Sequence, residues 1–424
     1  MIFLTTALLA LTVHGSPSDG AWQGLLVRGG SQLEVRVVLN AQRASGTFSA
    51  PDLGAIEVPL RAVRTGRAPH FELAGDRTTA RFDGRVAGDV MQGTFAEDGA
   101  RNGTFLLHRV ASAEAKPYDE QRVTFGDGDV RLSGTVYVPR GGGPHPAAVL
   151  VHGSGPEGRW AMAYVADALA RQGVVALAYD KRGVGESTGD WRTATLEDLA
   201  RDARAGVHLL AQRADVDPSR LGVYGHSQGA EIAPEIAREN PEVRWVVAAD
   251  GPVGPQYRQD LFRVDTLLAK RYAGPELAQA ERLYAEFVDV ARTGAPHERL
   301  RADMVKAAGA PWLAALAIPD DDSWIWRWYA TVGNYDNSGA WAAVKVPVML
   351  LFGQNDELVP PERSIAETTR LLNEHGNRAV TVRIFPGADH TLHVPPADAD
   401  GWPHNAPGFP AALAAFARRP NAGS

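Results

Sequence analysis

The chain has 424 residues, of which 45% are hydrophobic and 22% charged, with a net charge of −7. That is the composition of an ordinary globular protein long enough for two or three domains, and with no basic patch it argues against nucleic acid as a partner. Cysteine is absent, which excludes disulfides, a thiol nucleophile and thiolate metal sites.

Met1 to Val13 is an apolar run too short to span a bilayer. It reads as the hydrophobic region of a secretory signal, with Val13-His14-Gly15 as the cleavage site, although no Lys or Arg precedes it. Residues 1–19 are therefore expected to be a leader, and the protein to be exported to the periplasm or beyond. The competing reading is a packed N-terminal strand of a cytoplasmic protein. Residues 20–110 have a β texture. Leu33, Val35, Val37 and Leu39 alternate with Gln32, Glu34, Arg36 and Val38. Gly-Thr-Phe recurs at Gly46, Gly93 and Gly103, and turn residues punctuate the segment. The pattern predicts a small antiparallel barrel or sandwich without a catalytic constellation. Residues 111–122 read as a polar linker.

Residues 123–250 alternate strands with helices, which implies a mostly parallel sheet. A hairpin over Val123–Val138 leads in, and a strand follows at Ala147–Val151. Then comes a helix over Trp160–Gln172, closed by Gly173, and a strand at Val174–Ala178. Thr195 opens the next helix, with Asp198 three residues on as a variant capping box. A strand at Leu221–Tyr224 runs into a helix that Pro234 should bend, and Trp245–Ala249 is another strand. Residues 251–345 break this rhythm with a helical, aromatic-rich stretch that includes Tyr257, Phe262, Tyr284, Phe287, Trp312, Trp326 and Tyr329. An insertion there reads as a helical cap at the carboxyl ends of the strands, where α/β sheets bind ligands. Most of its aromatics should form the cap's own core, leaving one or two to wall an apolar acyl pocket. Residues 346–424 resume the sheet, with one strand running into Asp356 and another into His390.

The chemistry concentrates in Gly225-His226-Ser227-Gln228-Gly229. A G-x-S-x-G string between a strand and a helix is the context of a nucleophile elbow, a sharp turn that exposes a serine at a helix N-terminus. Alone, such a string also describes a serine in an ordinary tight turn. Three further segments favour the sharper reading. Val149-Leu150-Val151-His152-Gly153-Ser154-Gly155 is an apolar strand ending in an H-G-x-G turn, upstream of the elbow. Val348 to Asp356 and Val382 to His390 are strands ending in an acid and a histidine. The order Ser, Asp, His is that of the α/β-hydrolase triad.

Ser227 is accordingly the expected nucleophile, His390 its base and Asp356 the acid that orients the imidazole. The backbone N–H groups of Gln228 and Ser154 are the expected oxyanion hole. His390 competes with His393 and His404, and Asp356 with Glu357 and with Asp250, which follows the strand after the elbow. His152 and Gly153 should shape the oxyanion turn, and His226 should be structural. Asp180 and Arg182 should support the active-site loops; the alternative is a plain loop ion pair. No metal or cofactor is expected: no H-x-x-x-H pair, Walker A or dinucleotide-binding glycine pattern occurs.

Taken together, the chain resembles a bacterial carboxylesterase family of the α/β-hydrolase superfamily that carries an N-terminal β-domain. The strings behind the resemblance are Trp22-Gln23-Gly24, Leu132-Ser133-Gly134-Thr135, Val138-Pro139, His152-Gly153-Ser154-Gly155-Pro156, Tyr179 to Ser187, the elbow, and Ile232-Ala233-Pro234. Such enzymes are similar in sheet topology to the prolyl-oligopeptidase and dienelactone-hydrolase groups. The resemblance implies an α/β-hydrolase fold, a mostly parallel twisted sheet flanked by helices, with a helical cap insertion and a small N-terminal all-β domain. It also implies a serine esterase acting on small-molecule esters of short acyl chains; no stable membrane insertion is expected, because the apolar run at Met1 to Val13 is too short to span a bilayer. The alternatives are a prolyl-oligopeptidase-type peptidase or amidase, an acyltransferase, and a silent binding protein. The β-domain is too short for a propeller, and the oligomeric state stays open.

Overall fold

The computed structural model describes residues 16–74, 79–98, 101–110 and 115–420. The apolar run and cleavage site expected at the N-terminus lie outside the described residues. The chain divides into two compact units. One comprises the residues up to Glu114 together with Ala397–Trp402, the other Ala115–Pro396 and Pro403–Ser424.

The first unit is one antiparallel sheet of nine strands. These are β1 (Gly20–Arg28), β2 (Ser31–Asn40), β3 (Ser45–Ala50), β4 (Ala55–Pro59), β5 (Arg61–Arg64), β6 (His70–Ala74), β7 (Thr79–Ala87), β8 (Val90–Glu97) and β9 (Arg101–Val110). Their order is β4-β3-β2-β1-β9-β8-β7-β6-β5. Alternate residues turn inward onto a core of Trp22, Phe48, Phe71, Phe82, Phe95 and Phe105. Each Gly-Thr-Phe copy contributes one of these rings, on β3, β8 and β9. At Gly103 a Cβ would come within 2.4 Å of the Phe95 ring, so only glycine leaves room for it.

One boundary differs from the expectation. Residues 397–402 belong with the β-unit and not with the rest of 346–424. Arg28, 4% exposed, donates to the carbonyls of Asp400 (3.0 Å) and Gly401 (2.8 Å). It also pairs with Glu97 and lies 4.4 Å over the Trp402 ring. A guanidinium held by main-chain carbonyls leaves no periodic trace in sequence.

The second unit carries an eight-stranded sheet. Its strands are β10 (Tyr118–Asp127), β11 (Val130–Pro139), β12 (His145–Val151), β13 (Val175–Tyr179), β14 (Val216–His226), β15 (Val246–Ala249), β16 (Val348–Gly353) and β17 (Val380–Phe385). The order is β10-β11-β13-β12-β14-β15-β16-β17. The pairs β10–β11 and β11–β13 are antiparallel and the rest parallel. β10 takes the second half of the expected linker: Tyr118 is buried, and its hydroxyl donates to Asp167 at 2.6 Å.

The helices are α1 (Ala163–Arg171), α2 (Leu196–Ala211), α3 (Gln228–Arg238), α4 (Gln256–Ala269), α5 (Gly274–Thr293), α6 (Glu298–Lys306), α7 (Trp324–Val332), α8 (Ser338–Ala343), α9 (Pro361–Glu374) and α10 (Phe409–Arg418). Thr195 and Asp198 form a reciprocal capping box at the start of α2. The central strands β12, β13, β15 and β16 are buried on both faces, which explains their unbroken apolar runs. Along β12, Ala147, Val149 and Val151 face a layer containing α2 and α3. Ala148 and Leu150 face α1 and α10.

The inserted helices α4 to α7 wrap a separate core that includes Tyr284, Phe287, Trp312, Trp326 and Tyr329, while Trp341 on α8 packs into the sheet's own core. Asn337, fully buried, bolts the two stems of the insertion to α3. Its amide donates to Glu231 O and Pro252 O, each at 3.0 Å, and its oxygen accepts from Gly254 N–H at 3.0 Å. Among the described residues no helix is long and apolar enough to cross a membrane.

Candidate active site

The chain passes from β12 to β13 on one side and then to β14 on the other. Such a reversal opens a crevice at the carboxyl ends of the strands. The loops after β12 and β14 meet there, and they carry the H-G-x-G turn and the elbow.

Ser227 sits between β14 and α3 with φ 54° and ψ −118°, a backbone conformation that a side-chain-bearing residue adopts at a cost of roughly 1–3 kcal/mol. The turn holds because Ser227 N–H donates to Ala249 O and Ser227 O accepts from Glu231 N–H, both at 2.9 Å. It also requires two bare Cα atoms. A Cβ on Gly225 would stand 2.2 Å from Gly229 O, and one on Gly229 would stand 2.1 Å from Val151 O.

His390 lies in the loop after β17. Its Nε2 is 2.9 Å from Ser227 Oγ, and its Nδ1 is 2.8 Å from Asp356 Oδ2. A carboxylate can only accept, so Nδ1 carries the proton and Nε2 is left to accept from the serine hydroxyl. Asp356 Oδ1 in turn accepts from the N–H groups of Leu358 (2.8 Å) and Val359 (2.9 Å). Asp356 and His390 are both buried, while Ser227 is half-buried.

The rivals stand elsewhere. Glu357 is half-exposed and pairs with Lys270. His393 bonds to Thr391 Oγ1 at 2.8 Å, and exposed His404 bonds to Asn405 O at 3.1 Å. Asp250 lies close behind Asp356, but its resolved hydrogen bond is to Gly353 N–H, at 2.8 Å.

In the turn after β12, Gly153 N–H donates to Glu157 Oε2 at 2.9 Å. The next N–H along this turn is that of Ser154. Gly153 packs against Ser227; a Cβ there would lie 3.5 Å from Ser227 Cβ. His152 is buried beside Tyr179, with ring centroids 4.8 Å apart. Burial, and then the charge of Lys181, push its pKa down to about 3, which keeps the ring neutral and unsuited to act as a base.

Asp180 and Arg182 do not pair with each other. Asp180 binds Arg159 at 2.7 Å, and Arg182 forks onto Asp202 at 2.7 and 2.8 Å and onto Asp198 O at 2.9 Å. Asp180 thus fixes the loop after β13 to the segment before α1, and Arg182 fixes it to α2. Between them stands the residue that sequence reasoning passed over. Lys181, 2% exposed, donates to Gly153 O (2.5 Å), Gly155 O (2.9 Å) and Gln228 Oε1 (3.4 Å). It ties the turn after β12 to the first residue of α3. The only signal was a lysine at the end of a buried strand, where a free charge would be costly.

Two groups of three side chains among the described residues have the spacing of metal ligands. Asp250, Asp356 and His390 form one of them, at the site just described. Glu197, Glu235 and Glu239 are engaged by Arg204 and Arg238.

Residues 148–400 match the profile of the alpha/beta hydrolase family. Among curated proteins, Esterase EstD of Thermotoga maritima is 34% identical over 189 residues, covering 42% of this chain and 44% of that protein. Thiohydrolase aneE of Aspergillus aculeatus is 26% identical over 176 residues, covering 39% and 54%. The chain thus spans about half the length of these relatives. A solved Pyrococcus furiosus esterase superposes with a TM-score of 0.45 at 22% identity, over 67% of this chain and 88% of that one.

Proposed function

The chain belongs to the alpha/beta hydrolase family, and from that membership and the geometry above we propose that it is a serine hydrolase cleaving carboxylic esters of short to medium acyl chains through a covalent acyl-enzyme. The observation that carries the reading is the unbroken hydrogen-bonded line from Ser227 Oγ through His390 to Asp356, with links of 2.9 and 2.8 Å. The stretch of the Thermotoga relative named an esterase supports the choice of substrate class.

In this mechanism Ser227 Oγ attacks the ester carbonyl carbon while His390 Nε2 takes the hydroxyl proton. Asp356 stabilises the imidazolium that results. The carbonyl oxygen, now negative, accepts from the N–H groups of Gln228 and Ser154, whose worth is greatest where the charge develops. Collapse expels the alkoxide, which takes the proton back from His390 and leaves an acyl-Ser227 ester. Water then repeats the sequence, with His390 again as base, and releases the acid.

The test is labelling by a fluorophosphonate together with turnover of p-nitrophenyl esters of rising chain length, beside Ser227→Ala. Labelling and ester turnover that both vanish in the variant support the reading. Turnover of prolyl amides alone would make the protein a peptidase. Labelling with acyl transfer to an added alcohol in preference to water would make it an acyltransferase, and no labelling at all would leave a binding protein.

A further inference from the structure

We propose that Asp250 is a neutral carboxylic acid that donates a hydrogen bond from Oδ2 to the Asp356 carboxylate, a positioning residue that holds the triad acid from behind. The inference deepens the reading above and rests on it for its kinetic consequences.

Asp250 is the first residue after β15, fully buried, with a positive φ of 50°. A side-chain-bearing residue in that region is strained, and the strain turns this carboxyl inward between the ends of β15 and β16. Two main-chain bonds clamp it there. Asp250 N–H donates to Leu351 O and Gly353 N–H donates to Asp250 Oδ1, each at 2.8 Å. The other oxygen, Oδ2, has no donor among the described residues. One oxygen of Asp250, one of Asp356 and a ring nitrogen of His390 all lie within 4.8 Å of one another.

Two ionised carboxylates that close in a dry site repel strongly. One proton between them converts the repulsion into a hydrogen bond. The donor count decides which oxygen keeps the proton, because donors favour the ionised form. Asp356 receives three donors, from His390 Nδ1, Leu358 N–H and Val359 N–H. Asp250 receives one. The proton therefore rests on Asp250, whose spare oxygen becomes the donor it otherwise lacks. Burial first, and then the negative charge of Asp356, raise the Asp250 pKa well above the carboxylate range, with Asp389 adding to the same effect. No proton passes between Asp250 and Asp356 during catalysis in this arrangement. Asp250 keeps its hydrogen, and Asp356 stays charged and correctly aimed.

Asparagine at this position would keep both bonds, its oxygen accepting from Gly353 and its amide donating to Asp356. Leucine would keep neither. The experiment compares wild type, Asp250→Asn and Asp250→Leu by infrared difference spectroscopy at pH 7, and by kcat and KM on p-nitrophenyl esters. The expected result has three parts. A protonated-carboxyl carbonyl band is present in wild type and missing in Asp250→Asn. Asp250→Asn keeps kcat within about threefold, and Asp250→Leu, folded by circular dichroism, loses at least about tenfold in kcat with little change in KM. No lost band in the wild type minus Asp250→Asn spectrum would overturn the proposal. So would Asp250→Asn falling as far as Asp250→Leu, or a folded Asp250→Leu with undiminished kcat. The infrared band needs no turnover, so it tests the neutral acid even if no ester is hydrolysed.

Discussion

His226 Nε2 donates to the main-chain carbonyl of His390 at 2.8 Å, so the residue before Ser227 holds the loop that carries His390. The two imidazoles lie with centroids 5.2 Å apart. Burial, and then the neighbouring His390, push the His226 pKa down to about 4. His226 therefore stays neutral at ordinary pH and has one N–H to give. His226→Ala should lower kcat about 10- to 100-fold by letting the His390 loop drift, because small misplacements of a base are costly. His226→Gln, which restores a donor, should recover part of the loss. Steady-state kinetics of the two variants check this, and equal losses in both would show that the bond is not what matters.

Asp356→Asn should reduce kcat by about 10³- to 10⁴-fold, since an amide in place of the carboxylate favours the wrong imidazole tautomer. Asp250→Asn should not. The reverse pattern would hand the role of triad acid to Asp250.

Lys181→Met should lower kcat about 10-fold or more while leaving KM within a few-fold. Methionine fills the space but cannot hold Gly153 O, Gly155 O and Gln228 Oε1, so the Ser154 and Gln228 donors lose their fixed spacing, and an oxyanion donor matters most in the transition state. A rise in KM at constant kcat would instead assign Lys181 to substrate binding.

Glu231, on the first turn of the elbow helix, is fully buried, and its desolvation raises the pKa from 4.5 to about 8. The folded state thus binds this proton more tightly than the unfolded chain. Its contribution is intact below about pH 4.5 and is lost as pH rises towards 8, at up to about 1.4 kcal/mol per pH unit. Glu231→Gln should therefore gain stability over wild type as the pH is raised from 5 to 8. Urea unfolding at several pH values measures the difference, and a gap that stays constant with pH would refute the assignment.

Much of this architecture was readable along the chain. Strands buried on both faces show as unbroken apolar runs, the helix that starts at Thr195 carries its own cap, and Gly225 and Gly229 mark a turn that no larger residue can make. The GTF repeats likewise announced β structure, because each pairs a clearance glycine with a core ring. Other features left no such mark. The start of β10 inside polar residues 118–122 depends on its pairing with β11. The assignment of residues 397–402 to the β-unit depends on Arg28 meeting two carbonyls.

The sequence by itself determined the local events: where the chain turns, which faces are apolar, and that a serine, an acid and a histidine stand at the ends of strands. Tertiary structure alone decided which of the rival side chains lie within hydrogen-bond reach of one another. It placed Asp356 on His390, set Asp250 behind it with an oxygen unanswered among the described residues, and brought Lys181 to the turn after β12. The reason is range. Turn geometry and amphipathic periodicity act over a few residues, whereas a hydrogen bond between positions tens of residues apart, or 163 apart as between Ser227 and His390, exists only once the sheet has stacked its strands and aimed their ends at one crevice.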